Sequence, residues 1–159
     1  EAIAAARVAA VPFRVIGEGP LRERLAAAHP EVEFLGWRSR AEMASLIRTA
    51  RFLVMPSRFP EPFGLVAAEA SQSGLPVLLS RTALLGSDVV AREVGLSCDT
   101  RDPAEFATAV ARLRDLPAAQ IRLMSERAFS GSANLSTSPQ EWIDRLLELY
   151  GSAIGGSRA

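Results

Sequence analysis

The chain has 159 residues, the size of one ordinary domain with a real core. Hydrophobic residues make up 48% and charged residues 23%, which excludes a disordered chain. Lys+Arg 18 is offset by Asp+Glu 18, so the surplus positive charge of a general nucleic-acid binder or a polybasic membrane surface is absent. Every basic residue is Arg, so no Schiff-base or P-loop lysine exists in this sequence. A single Cys98 excludes an internal disulfide and a Cys-rich zinc site, and a single His29 excludes a His-based metal cluster. No run reaches the roughly 18 uninterrupted apolar residues of a membrane span. Cytoplasmic residence fits this composition.

Apolar runs alternate with helical patterns, the mark of a parallel sheet with crossover helices. The opening Ala2 to Val11 reads as an Ala-rich helix entered midway. Phe13-Arg14-Val15-Ile16 reads as a strand closed by the turn Gly17-Glu18-Gly19-Pro20. A helix over Leu21 to Ala26 stops at His29-Pro30, and Val32 to Leu35 is the next strand, ending at Gly36. Ser39 and Glu42 have capping-box spacing before a helix with Met43, Leu46 and Ile47 on one face. Phe52 to Met55 reads as a central strand buried on both faces. A loop with three prolines, Pro56 to Pro62, leads into a helix over Phe63 to Ser73, ended by Gly74. Pro76 to Leu79 is another buried strand, Leu84 to Glu93 a looser segment, and Gly95 to Cys98 a short strand. Asp102-Pro103 opens one helix and Pro117 the next. Ser130 to Pro139 has linker composition. A last helix, Gln140 to Tyr150, presents Trp142, Ile143, Leu146, Leu147 and Tyr150, and the tail from Gly151 is expected to fray.

The chemically informative stretch runs from Pro60 to Ala70. Glu61 and Glu69 flank the start of a helix just after a buried strand, with seven residues between them. In an open parallel sheet, ligands bind beyond the carboxyl ends of the strands, and this loop lies there. Gly64 permits close backbone approach, and the free N–H groups near Phe63, Gly64, Leu65 and Val66 can hold an anion, helped by the helix dipole. Helical side chains lean toward the helix N-terminus, so the Glu69 carboxylate can reach back toward that anion site. A carboxylate accepts two hydrogen bonds side by side, which suits a ribose diol. Glu61, on the loop, can face another polyol on the same ligand. Phosphate, ribose and a second polyol together describe a sugar nucleotide.

The Glu61 to Glu69 segment resembles the Glu-x7-Glu signature of the group 1 retaining glycosyltransferases, which have the two-domain GT-B fold. Phe13 to Leu21 is similar to that family's strand and Gly-x-Gly-Pro turn, and Val32 to Gly36 to its next strand. Met55-Pro56-Ser57 resembles the "Pro-Ser" before the acidic motif, and Glu69-Ala70 with Gly74-Leu75-Pro76-Val77 its "Glu-Ala…Gly-x-Pro-Val" run. Trp142 and Tyr150 resemble the closing helix that packs toward the other domain. The order holds from about Phe13 to Tyr150, nearly the whole chain.

The resemblance implies an α/β fold: a Rossmann-like parallel sheet with flanking helices, like the C-terminal domain of a GT-B enzyme but lacking its first strand, which would leave a gap. It implies a nucleotide-sugar-binding domain over 1–137, with a C-terminal helix and tail over 138–159 packing toward an N-terminal Rossmann-like domain. It implies that Glu61 is catalytic and contacts donor-sugar hydroxyls, and that Glu69 binds the ribose. Backbone of Phe63, Gly64, Leu65 and Val66 would meet sugar and phosphate, with Gly17 at the same site and Trp37 and Arg38 near the base edge. The partner it implies is a nucleoside-diphosphate sugar, with no metal and no cofactor. The family's pyrophosphate-neutralising Arg and Lys precede the part represented here, so this part alone is expected to be inactive. Arg81 to Gly86 departs from the Gly-Gly pair of many relatives. A non-catalytic nucleotide or nucleotide-sugar binding module is the alternative, and a GT-B-shaped epimerase or phosphorylase a weaker one.

Overall fold

The computed structural model describes residues 1–130 and 133–155. Helices and strands alternate as α1 (Ala2–Val8), β1 (Arg14–Ile16), α2 (Arg22–Ala28), β2 (Glu33–Gly36), α3 (Arg40–Thr49), β3 (Leu53–Met55) and α4 (Leu65–Gln72). There follow β4 (Val77–Ser80), α5 (Gly86–Ala91), β5 (Gly95–Cys98), α6 (Pro103–Asp115), α7 (Ala118–Phe129) and α8 (Pro139–Gly155). All strand pairs are parallel, as the alternating pattern implies.

The strands form two sheets, β1–β2 and β3–β4–β5, so the parallel array is interrupted as expected. The interruption changes the standing of β3. It is an edge strand and only half-buried, not the central strand its apolar run suggests. That place belongs to β4, buried at every residue from Val77 to Ser80. Successive β4 side chains face opposite ways. Val77 and Leu79 enter one apolar cluster with Ala67, Ala70, Val89 and Val94, while Leu78 enters another with Ala5, Ala9, Phe106, Val110 and Leu113. The second cluster explains the Ala-rich opening: small side chains let α1 lie close against α6.

Local capping signals are realised. The Ser39 hydroxyl accepts from the Glu42 N–H at 3.4 Å, and the Glu42 carboxylate accepts from the Ser39 N–H at 2.8 Å. The Ser39 hydroxyl, which donates to Glu42 Oε2 at 2.6 Å, and then the Ser39 N–H hold the Glu42 carboxyl below its ordinary range. Asp102 caps α6 through the N–H groups of Ala104 and Glu105, with Pro103 in the first turn.

Three stretches differ from the sequence reading. Leu84 to Glu93 is not loose throughout but contains α5, a six-residue helix without a side-chain cap. The fully buried Val89 and Val94 pin it to the sheet. Ala133 and Leu135, in the expected linker, are buried in the first cluster; residues 131 and 132 of that linker lie outside the described residues. Helix α8 extends through Gly155, beyond the expected end at Tyr150; the rest of the tail, residues 156–159, lies outside the described residues.

No helix among the described residues is long and apolar enough to cross a membrane. Cys98 is buried, and burial pushes its thiol up to about 11, with the Glu105 and Asp99 carboxylates adding to the effect. A folded-state pKa above the unfolded one stabilises fully below the unfolded value, near 9. The contribution is lost as pH rises through about 11. At pH 8 the native thiol is expected to react with iodoacetamide at least ~100-fold more slowly than in the unfolded chain, because only the thiolate attacks. Equal rates in a stopped alkylation time course would place Cys98 at the surface.

Candidate functional site at the strand ends

Glu61 lies in the loop leaving β3, and its two ends are tied down differently. Its carbonyl accepts the Leu84 N–H at 3.0 Å, so the segment after β4 supports the loop from behind. Its carboxylate accepts the Gly64 N–H at 3.3 Å. Gly64 is the residue before α4 and has a left-handed backbone, φ 63 and ψ 50. A side chain there would be strained and would also place its Cβ 3.1 Å from Met55 Cε. The loop therefore turns sharply over the end of β3 and delivers the chain into α4.

Met55, Glu61, Phe63, Gly64, Leu65 and Val66 line an open pocket of about 240 Å³. The Gly64 carbonyl accepts the N–H groups of Ala67 and Ala68. The N–H groups of Leu65 and Val66, in the first turn of α4, have no earlier helical carbonyl to meet. With the helix dipole behind them they are suited to an anion. Glu69 stands one turn further along. It is exposed on the same stripe as Leu65 and Val66, with Ala67, Ala68, Ala70 and Ser71 turned into the core. Its carboxylate makes no hydrogen bond or ion pair among the described residues. The five expected residues Glu61, Phe63, Gly64, Leu65 and Val66 are thus gathered at one pocket, with Glu69 on the adjoining helix face. Met55, in the sequence simply an apolar strand residue, lines that pocket as well.

Beneath the loop lies a small hydroxyl network. Thr82 Oγ1 donates to the Ser57 carbonyl at 3.4 Å and lies 2.9 Å from Ser80 Oγ, which accepts from the buried Thr100 at 3.2 Å. Arg58, in the loop leaving β3, pairs with Glu1. Arg81 pairs with Glu105, so neither guanidinium is unengaged.

Gly17, Trp37 and Arg38 come from the other sheet, at the exits of β1 and β2. The Gly17 N–H donates to the Gly36 carbonyl at 2.9 Å, locking the two exits together. Trp37 is 71% exposed, so its ring is not packed at the strand end. Its peptide groups are both engaged, the N–H by Glu18 Oε1 at 3.2 Å and the carbonyl by Arg38 Nη1 at 3.0 Å. All these residues lie at the carboxyl ends of parallel strands, where such sheets bind ligands. A second pocket of about 200 Å³, bordered by Arg51, Gly74 and Ile121, is at the opposite strand ends. There the Arg51 guanidinium is spent on the Leu113 and Leu116 carbonyls. Among the described residues, no three His, Cys, Asp or Glu side chains gather as metal ligands.

Parallel strands interrupted into two sheets, with flanking helices and an acidic loop and helix start at the carboxyl edge, define an α/β domain. Residues 1–115 match the model of the family described as Glycosyl transferases group 1, and the chain belongs to that family. It is 37% identical over 109 residues to a glycogen synthase of Mycobacterium tuberculosis, spanning 69% of this chain and 25% of that protein. It is 39% identical over 117 residues to a D-inositol 3-phosphate glycosyltransferase of Catenulispora acidiphila, spanning 74% of this chain and 27% of that protein. The chain thus spans about a quarter of the length of these curated relatives. Among solved structures it superposes on sucrose-phosphate synthase from Thermosynechococcus elongatus with a TM-score of 0.73 and 25% identity, covering 98% of this chain and 42% of that one. Anabaena HepE in complex with UDP gives a TM-score of 0.73 at 19% identity, covering 94% and 44%. The fold is that of a GT-B glycosyltransferase domain.

Proposed function

We propose that this chain is the donor-binding half of a retaining glycosyltransferase, which transfers a sugar from a nucleoside diphosphate to an acceptor. The observation that carries the reading is the pocket formed by Glu61 and the first turn of α4, at the strand ends of a group 1 family domain. The UDP bound to the similarly folded HepE supports the same ligand class. The Leu65 and Val66 N–H groups hold the distal phosphate, and the α4 dipole offsets part of its charge. Glu69 takes the ribose diol. Glu61 contacts the transferred sugar, and its link to the Gly64 N–H fixes where that contact falls. The nucleoside extends toward Gly17, Trp37 and Arg38. No metal or cofactor is assigned a role.

The reaction also needs a second domain that brings the acceptor, and the pyrophosphate-neutralising Arg and Lys that the family resemblance places near the first strand of the donor-binding domain. Helix α8, with Trp142, Leu147 and Tyr150 all more than half exposed, is the surface that meets it. The domain over 1–137 is inactive alone on this view.

The test is Glu69→Ala in the complete enzyme. Loss of a hydrogen-bonded charge is expected to weaken donor binding by about 1.5–3 kcal/mol, roughly ten- to 150-fold. Isothermal titration with nucleotide sugars reads it directly, and unchanged affinity removes Glu69 from the ribose.

A further inference from the structure

Trp37 combines two features. Its backbone is clamped at both peptide groups, yet its indole is 71% exposed. A large aromatic ring left in water on a fixed backbone is a stacking platform with little ordering entropy left to lose. The residue that fixes it is Glu18, in the turn after β1.

The register of β1 and β2 explains the contact. Arg14 pairs with Glu33 and Val15 with Phe34, but Ile16 pairs with Gly36, so Leu35 is skipped at a bulge. The bulge re-aims the exit of β2 toward β1. Gly36 then turns with a left-handed φ of 69, and a Cβ there would lie 2.5 Å from Glu18 Oε1. The Glu18 carboxylate thus occupies the space a side chain at position 36 would take. From there it receives the Trp37 N–H at 3.2 Å. Arg22 stands behind it, with Nε 3.6 Å from Oε2, an ion pair too long for a hydrogen bond. That Nε is buried with no hydrogen-bond partner, so the guanidinium holds the carboxylate by charge.

We propose that Glu18 is a positioning residue for the nucleoside: by holding the Trp37 amide against Gly36 it presents the indole as the surface on which the base stacks. This rests on the donor-binding reading above. It assigns Trp37 a ring contact in place of a peptide-edge contact, because both peptide groups are already satisfied.

The chain has two tryptophans, so Trp142→Phe leaves Trp37 as the sole indole reporter. In that background UDP, GDP and ADP are titrated, with affinity read by calorimetry and stacking by Trp37 fluorescence. At least one nucleotide is expected to bind and quench Trp37. Trp37→Ala is expected to weaken it roughly tenfold, the worth of one base–aromatic stack. Glu18→Ala should cost about fivefold and shrink the quench, whereas Glu18→Gln, which keeps an acceptor for the Trp37 amide, should stay within about twofold of the parent. In the Trp37→Ala background, Glu18→Ala should cost nothing further, which a general loss of structure would not reproduce. Binding without quench, or equal affinity in Glu18→Ala, overturns the role of Glu18 and leaves the donor-binding reading standing. Failure of all three nucleotides to bind overturns both.

Discussion

Glu61→Ala in the complete enzyme is expected to lower kcat by about 100-fold or more while moving the affinity for the nucleotide sugar far less. A contact to the transferred sugar acts on the reacting centre, where a misplacement of about 1 Å costs on that order. On the donor-binding proposal the phosphate and ribose, assigned to α4 and Glu69, would supply most of the ground-state binding and would be untouched. Glu61 also braces its own loop by accepting the Gly64 N–H. Glu61→Gln separates the two roles, since the amide oxygen preserves that acceptor but not the negative charge. Both variants are expected to lose turnover, and only the alanine variant to loosen the loop. A raised KM with normal kcat in steady-state assays would assign Glu61 to uniform substrate binding instead.

Gly95→Ala is expected to abolish the cooperative fold. Gly95 opens β5 opposite Val77, and a Cβ there would lie 1.9 Å from the Val77 carbonyl oxygen and 2.8 Å from Val89 Cγ1. The nearest obstacle is backbone of the central strand, which cannot swing aside as a flexible side chain does. Val77 and Val89 are both fully buried, so relief requires β4 and β5 to part. Overpacking of this kind costs upward of about 3 kcal/mol, a large share of a small domain's total stability. Thermal melts by circular dichroism measure it. A melting temperature within a degree or two of the parent would mean that β5 does not pair with β4 in this register.

Much of this architecture is legible locally. The Ser39 and Glu42 pair and the Asp102-Pro103 start announce their helices because a cap is a bond between residues a turn apart. The acidic loop is legible for a similar reason, since strand, turn and helix start follow one another in the chain. What resists reading is whatever depends on distant partners. The apolar run at β3 is compatible with either a central or an edge strand, and only the pairing decides. Helix α5 has no side-chain cap and six residues, so its existence rests on Val89 reaching the core. Leu135 has the composition of a linker around it and the environment of a core residue. At the site, Glu18 reads in the sequence as part of a plain turn, because its contact with Trp37 exists only once β1 and β2 pair across the bulge. The Gly17-Glu18-Gly19 spacing was the one available signal.

The division of the strands into two sheets has a thermodynamic consequence. Among the described residues, no ladder of backbone bonds joins β1–β2 to β3–β4–β5. Units without such a ladder can open separately, each with its own free energy. A nucleotide laid from the α4 turn to Trp37 would touch both, and it would bind only when both are closed. Its binding free energy would then be added to the coupling between the units, as mass action requires of any ligand selective for the folded form. Substrate would serve as the missing rung, turning two loosely joined folding units into one.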